Sequence, residues 1–246
     1  MKKYSLTKNT KELCGKTLFQ IKAEISFGSV SKGYLGGYIE KEENLSQEGN
    51  AWVYGNACVY GNACVYGNAC VYDDARVYDD VRVSGNARVY GNAWVSDDVR
   101  VSGNARVYGN AWVSGDARVS GNALVYGNAM VYGNARVYGN ACVYGNARVY
   151  GNAWVSGDAR VSGNARVSAK ANFTKGWFIG GDDSGKITDI TDKTGSEYWK
   201  NQYVLGDYEI TPIEEEKTET IKIGNNTYNK NEVEEALKNI KSLKTN

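Results

Sequence analysis

Val101-Ser102-Gly103-Asn104-Ala105-Arg106-Val107-Tyr108-Gly109-Asn110-Ala111-Trp112-Val113-Ser114-Gly115-Asp116-Ala117-Arg118 spells one six-residue unit three times. The unit is Val-(Tyr/Ser)-Gly-(Asn/Asp)-Ala-x. It runs from Val53 to Asn172 without an insertion, which is 20 hexads, and a weaker one (Gln47 to Trp52) precedes them. Such periodicity is read first, because overlooking it would misassign the whole fold.

Strand geometry explains the unit. Ala-x-Val-Tyr is a short extended segment whose side chains alternate. Ala and Val face inward; x and Tyr or Ser face outward. Gly-Asn then turns the chain, since both residues tolerate positive φ. A helix is excluded by a glycine in nearly every hexad and a Val at each sixth position. Three hexads per coil give a triangular prism, and 21 hexads give seven coils. Coils pairing at roughly 4.8 Å would stand roughly 30–35 Å tall. The expected fold class is all-β, a parallel β-helix with a dry interior of Val and Ala.

The hexads resemble the hexapeptide-repeat superfamily, and that resemblance implies a left-handed parallel β-helix and a trimeric assembly. The general crossover rule alone would favour the right hand. One departure from the family is that Tyr or Ser, not a glycine-like residue, follows the aliphatic position. A second resemblance lies at Gly36-Gly37-Tyr38-Ile39-Glu40, then Glu43-Asn44-Leu45-Ser46, leading into Gly49-Asn50-Ala51-Trp52-Val53. It is similar to phage- and prophage-encoded hexapeptide-repeat proteins, in which a short β cap runs into Gly-Asn-Ala repeats.

Five segments are expected: an N-terminal β cap (1–46), the repeat β-helix (47–172), a C-terminal cap (173–210), a linker (211–220) and a hairpin-helix module (221–246). Phe173 to Ile179 would plug the open core. Ile221 to Tyr228 reads as a hairpin, and Asn231 would cap a helix over residues 232–243. Residues 173–246 hold ten Lys against fourteen Asp plus Glu, net −4.

Composition narrows the function. The chain has no histidine, which excludes His-ligated metals, Ser-His-Asp and Cys-His catalysis and a His general base. Acyltransferases and carbonic anhydrases of this fold depend on histidines by resemblance, so no enzyme activity and no cofactor are expected. Lys plus Arg (29) nearly balances Asp plus Glu (28). No apolar run reaches the roughly 20 residues of a membrane helix, and the amino terminus lacks a signal-peptide pattern. The expectation is a cytoplasmic protein of the bacterial host that avoids membranes. Five cysteines, an odd number, fit a reducing compartment.

Residues 18 apart share a face, so the outer surface can be tabulated. The first face carries Tyr54, Tyr72, Tyr90, Tyr108, Tyr126 and Tyr144 beside Trp52, Cys70, Arg88, Arg106, Leu124 and Cys142. The second carries Arg76, Trp94, Trp112, Met130 and Arg148, with Ser96 and Ser114 beside the tryptophans. The third carries Arg82, Arg100, Arg118 and Arg136, the first three beside Ser84, Ser102 and Ser120. All ten arginines occupy x positions.

The candidate binding residues are Arg82, Arg100, Arg118, Arg136, Trp94, Trp112, Tyr90 and Tyr108. Arginine offers bidentate donors to phosphate or carboxylate and stacks on aromatics. Exposed tryptophan is enriched at interfaces. Plainer readings stand beside these. Asp80, Asp98 and Asp116 could neutralise the Arg column locally. The Tyr column could merely stabilise its sheet. Aspartates 79, 80, 97, 98 and 116 could hold a hard cation, although paired turn aspartates are usually solvated, and no metal site is expected.

Two functions follow. One is a non-catalytic, phage-derived binding protein that counters host defence, either by capturing a small anionic, nucleotide-like ligand or by blocking a host defence protein. The other is a structural spacer, a rigid homotrimer with a C-terminal adaptor. Long duplex DNA is a poor partner: its phosphates recur every roughly 3.4 Å per strand, out of register with the coils.

Overall fold

The computed structural model describes residues 1–167 throughout and, beyond them, only the backbone of short strands between residues 172 and 229. Two units are distinguished, Met1–Glu209 and Ile210–Asn246. No α-helix occurs among the described residues.

The first unit opens with β1 (Tyr4–Leu13), β2 (Lys16–Ala23) and β3 (Leu35–Ile39). β1 and β2 form an antiparallel hairpin, turned by Cys14 and Gly15 at φ 51° and 74°. β3 pairs antiparallel with β2 and parallel with Cys58–Val59. The cap thus extends the sheet of the second face. Leu45 bridges in parallel to Val65, so coil-like pairing begins before the regular hexads.

From Trp52 the backbone is a parallel β-solenoid of about seven coils, built from two-residue strands of x and Val. Register is 18 residues throughout: Arg88 pairs with Arg106, Trp94 with Trp112, Arg100 with Arg118. Hexads send two or three backbone bonds to the next coil, three in the case of Arg88 N to Ala105 O (2.9 Å), Tyr90 N to Val107 O (3.0 Å) and Asn92 N to Gly109 O (2.8 Å). The inward Val side chains from Val53 to Val167 are fully buried, as are nearly all the Ala. The narrow, dry core expected from the repeat is therefore present.

The corners explain why Gly recurs. Gly103 has φ 67°, and a Cβ there would sit 2.9 Å from the backbone N of Gly121. Left-handed backbone and close coil-to-coil approach both select glycine. Asp73, Asp79 and Asp97 occupy the same turn position at φ 61°. Each turns its carboxylate onto the next coil, accepting from Gly91 N (3.1 Å), Asp97 N (3.4 Å) and Gly115 N (2.7 Å) respectively.

Beyond Phe173 the period fails. Trp154 still pairs with Asn172, but Arg160 pairs with Trp177, a spacing of 17. Ile187–Ile190 then adds antiparallel to Trp177–Gly180. The side chains expected to plug the core lie outside the described residues. In the second unit, Thr220–Ile223 pairs antiparallel with Asn226–Asn229. The linker and the helix at 232–243 lie outside the described residues, except for Thr220.

Candidate functional site

The three outer faces differ because the same backbone carries different x and Tyr/Ser residues. On the first face, Tyr72, Tyr90, Tyr108, Tyr126 and Tyr144 form one stack. Centroids are 4.6–5.0 Å apart and the planes lie within 5°. That spacing matches the strand spacing, so the sheet itself sets the stack. Burial raises the pKa of Tyr72, Tyr108 and Tyr126, with neighbouring tyrosines adding to the shift. Tyr90 and Tyr108 are half-buried members of this column, and their ring faces are occupied by one another.

The second face interrupts such a column. Tyr60 stacks on Tyr78 and Tyr132 on Tyr150, each at 5.0 Å. Between the pairs stand Ser96 and Ser114, on the strands of Trp94 and Trp112. The two indoles are 40% and 45% exposed, with centroids 6.2 Å apart and tilted by 56°. Ser96 is only 4% exposed although it points outward. The Arg76 guanidinium carbon lies 4.9 Å from the Trp94 ring centroid, a cation–π contact. Met130 follows Trp112 in register. The result is a register-paired column of apolar side chains, Trp94, Trp112 and Met130.

The third face presents Arg82, Arg100 and Arg118, all exposed and register-paired, beside Ser84, Ser102 and Ser120. The guanidinium carbon of Arg136 lies 4.8 Å from the Trp154 ring centroid. The column of four read from the sequence is in register throughout, Arg118 pairing with Arg136, and the last guanidinium packs on the Trp154 ring. Among the described residues, salt bridges join Lys2 to Glu42 and Lys16 to Glu40; none joins this Arg column to Asp80, Asp98 or Asp116. Asp80 instead accepts from Asn62 Nδ2 at 3.1 Å.

Two features went unread in the sequence. Asn50, Asn68, Asn86, Asn104, Asn122 and Asn140 form a side-chain amide ladder ending on Asp158, each step 3.0–3.1 Å. A second ladder runs from Asn92 to Asn164. The 18-residue recurrence of Asn carried that signal. The corner with Asp80, Asp98 and Asp116 has no amide to donate at those three coils, because a carboxylate only accepts. The second feature is Trp52, which shares a column with Cys70 and Arg88 but is fully buried. Tyr4 and Phe27 of the cap meet it edge-on, and its Nε1 has no hydrogen-bond partner.

The cysteines are free thiols. Burial pushes Cys58, Cys64, Cys70 and Cys142 up from the ordinary thiol value, which disfavours the reactive thiolate. Among the described residues, no group of three or more His, Cys, Asp or Glu is placed to hold a metal ion. No helix among them is long and apolar enough to cross a membrane.

Fold and surface define a repeat β-solenoid protein with an apolar patch and a charged strip on different parts of the prism. The family model of the YdcK beta solenoid repeat matches residues 81–97, 99–115, 117–131, 123–139, 129–143, 141–157 and 159–171. The longer of these segments approach one 18-residue coil in length, and the chain is similar to that repeat there. No curated protein matches the chain.

Proposed function

We propose that this chain is a non-catalytic binding protein that engages a protein partner through its second face, with Trp94 and Trp112 as anchors. One observation carries the reading: two adjacent, register-paired indoles stand 40% and 45% exposed on a rigid sheet. Large exposed apolar groups in one patch mark interaction sites, and tryptophan is over-represented among residues that dominate binding energy. Met130 extends the patch, and Arg76 supplies a polar edge.

Capture of a free small anion on the third face has less support. Beside the three guanidiniums of Arg82, Arg100 and Arg118 stand the carboxylates of Asp80, Asp98 and Asp116, and the two columns together leave no net positive field to draw in a free anion. The absence of histidine and the uninterrupted coils favour binding over catalysis. The reading extends to a phage-derived protein acting in the bacterial cytosol on a host defence protein. That extension rests on the resemblance of residues 36–53.

The test is affinity capture with full-length wild type, Trp94→Ser/Trp112→Ser, and the control Arg88→Ser/Arg106→Ser on the first face. The proposal expects a specific partner retained by wild type and control and lost by the Trp variant. Equal retention by all three overturns it.

A structural reading is favoured by one observation, the amide ladders that tie each coil to the next at constant register. As a spacer, the protein would lose recruitment on deletion of residues 211–246, whereas face binding would survive that deletion.

A further inference from the structure

We propose that the strip formed by Asp80, Asp98, Asp116 and Arg82, Arg100, Arg118 docks a second copy of this chain, side by side and parallel, about a two-fold axis along the prism. This surface is separate from the Trp94/Trp112 patch, and the proposal does not depend on that patch having a partner.

Three observations converge on the same three coils. First, all six charged residues are exposed. Among the described residues no salt bridge joins one column to the other; the two such bridges present both lie within the cap. Three like charges at strand spacing in each column repel one another unless an opposite column approaches. Second, each Asp precedes its Arg by two residues on one edge of the prism, so both columns share the coil pitch. Third, these are the coils in which Ser84, Ser102 and Ser120 replace the tyrosine of that face, while Tyr66 and Tyr138 stand on the coils below and above. The strip is thereby low in relief over the height at which its charges stand.

Symmetry then selects the occupant. A two-fold interface is isologous: if residue i meets j, then j meets i. Rotation about an axis parallel to the prism leaves heights unchanged, so coil faces coil. With the axis between the two columns, Asp80 meets the second copy's Arg82, Asp98 its Arg100 and Asp116 its Arg118, and the same pairs recur in reverse. One contact unites both columns because they are adjacent. A three-fold ring would need them on opposite flanks, facing different neighbours. An antiparallel pairing about a perpendicular axis would set Asp against Asp.

The experiment uses the full chain, with native mass spectrometry and light scattering. The proposal expects a wild-type dimer whose dissociation constant rises about tenfold or more between low and high salt, as screened ion pairs require. Arg82→Asp/Arg100→Asp/Arg118→Asp and Asp80→Arg/Asp98→Arg/Asp116→Arg are each expected to be monomers, with the wild-type β signal in circular dichroism. Mixed one to one, the two variants are expected to form a heterodimer. Should either reversal fail to fold, the neutral variant Arg82→Gln/Arg100→Gln/Arg118→Gln replaces it and is expected to be monomeric. A monomeric or trimeric wild type overturns the proposal. So does a folded reversal or neutral variant that dimerises as wild type does.

Discussion

Replacing Gly103 by Ala and, separately, by Asp tests the turn chemistry, because the larger residue should be the milder change. Gly103 sits at φ 67°. A Cβ there lies 2.9 Å from Gly121 N and 3.0 Å from Gly121 O. Ala therefore carries the left-handed penalty of roughly 1–2 kcal/mol together with a forced shift of the next coil. A total of about 2–3 kcal/mol follows for Gly103→Ala. Asp meets the same Cβ contacts but tolerates the left-handed region better. Its carboxylate can also accept the Gly121 N–H, as Asp97 accepts Gly115 N at 2.7 Å. A hydrogen bond to a charged group contributes roughly 1.5–3 kcal/mol when buried and less at this exposed corner, so Gly103→Asp should cost about 1 kcal/mol. Denaturant titration followed by far-ultraviolet circular dichroism compares the midpoints, which is safer than absolute free energies because repeat arrays need not unfold in two states. If Ala proves equal to or milder than Asp, the account of the corners is wrong.

Four further outcomes are expected. Asn104→Ala removes a bond donated to Asn122 and one accepted from Asn86, both 3.0 Å, and should cost about 1–2 kcal/mol in the same titration; Asn104→Asp keeps the acceptor and should cost less. Ser96→Tyr should destabilise by about 1–3 kcal/mol through overpacking against Trp94, and the double change Trp94→Ser/Ser96→Tyr should recover most of that loss in a double-mutant cycle. Burial lowers the Lys3 ammonium to about 8 from an unfolded value of about 10.4; the unfolded chain thus binds more protons between those values, stability should rise as pH climbs from 8 towards 10, and Lys3→Met should abolish that slope. A thiol reagent at pH 8 should modify exposed Cys14 quickly and Cys58, buried and with its pKa pushed up, only on unfolding.

The coil stack was legible because Val recurs at each sixth residue from 53 to 167 with no insertion. One count then assigns every side chain an inward or outward direction and an 18-residue neighbour. What escaped the count depends on contacts outside the period. Trp52 reads as a surface residue of the first face, yet Tyr4 and Phe27, forty-eight and twenty-five residues earlier, bury it. Arg136 is the fourth member of its column, as the count says, but the count does not show that its guanidinium packs on Trp154 of the next coil. The end of the period was legible as well: the repeat read from the sequence stops at Asn172, which still pairs 18 residues back with Trp154, whereas Trp177 pairs 17 back with Arg160. For the site, the Trp94–Ser96 and Trp112–Ser114 pairings were readable as large-beside-small. Trp154 with Ser156 repeats the same rule. Which patch meets a partner was not readable, because periodicity fixes directions and says nothing of what lies beyond the surface.

Native mass spectrometry of the full chain, purified gently from bacterial cells, tests the central claim most directly when wild type and Trp94→Ser/Trp112→Ser are compared. The account predicts that wild type carries mass beyond an integer number of chains and that the Trp variant carries only the chains themselves. A bare multiple of the chain mass in both samples, or the same added mass in both, would contradict it.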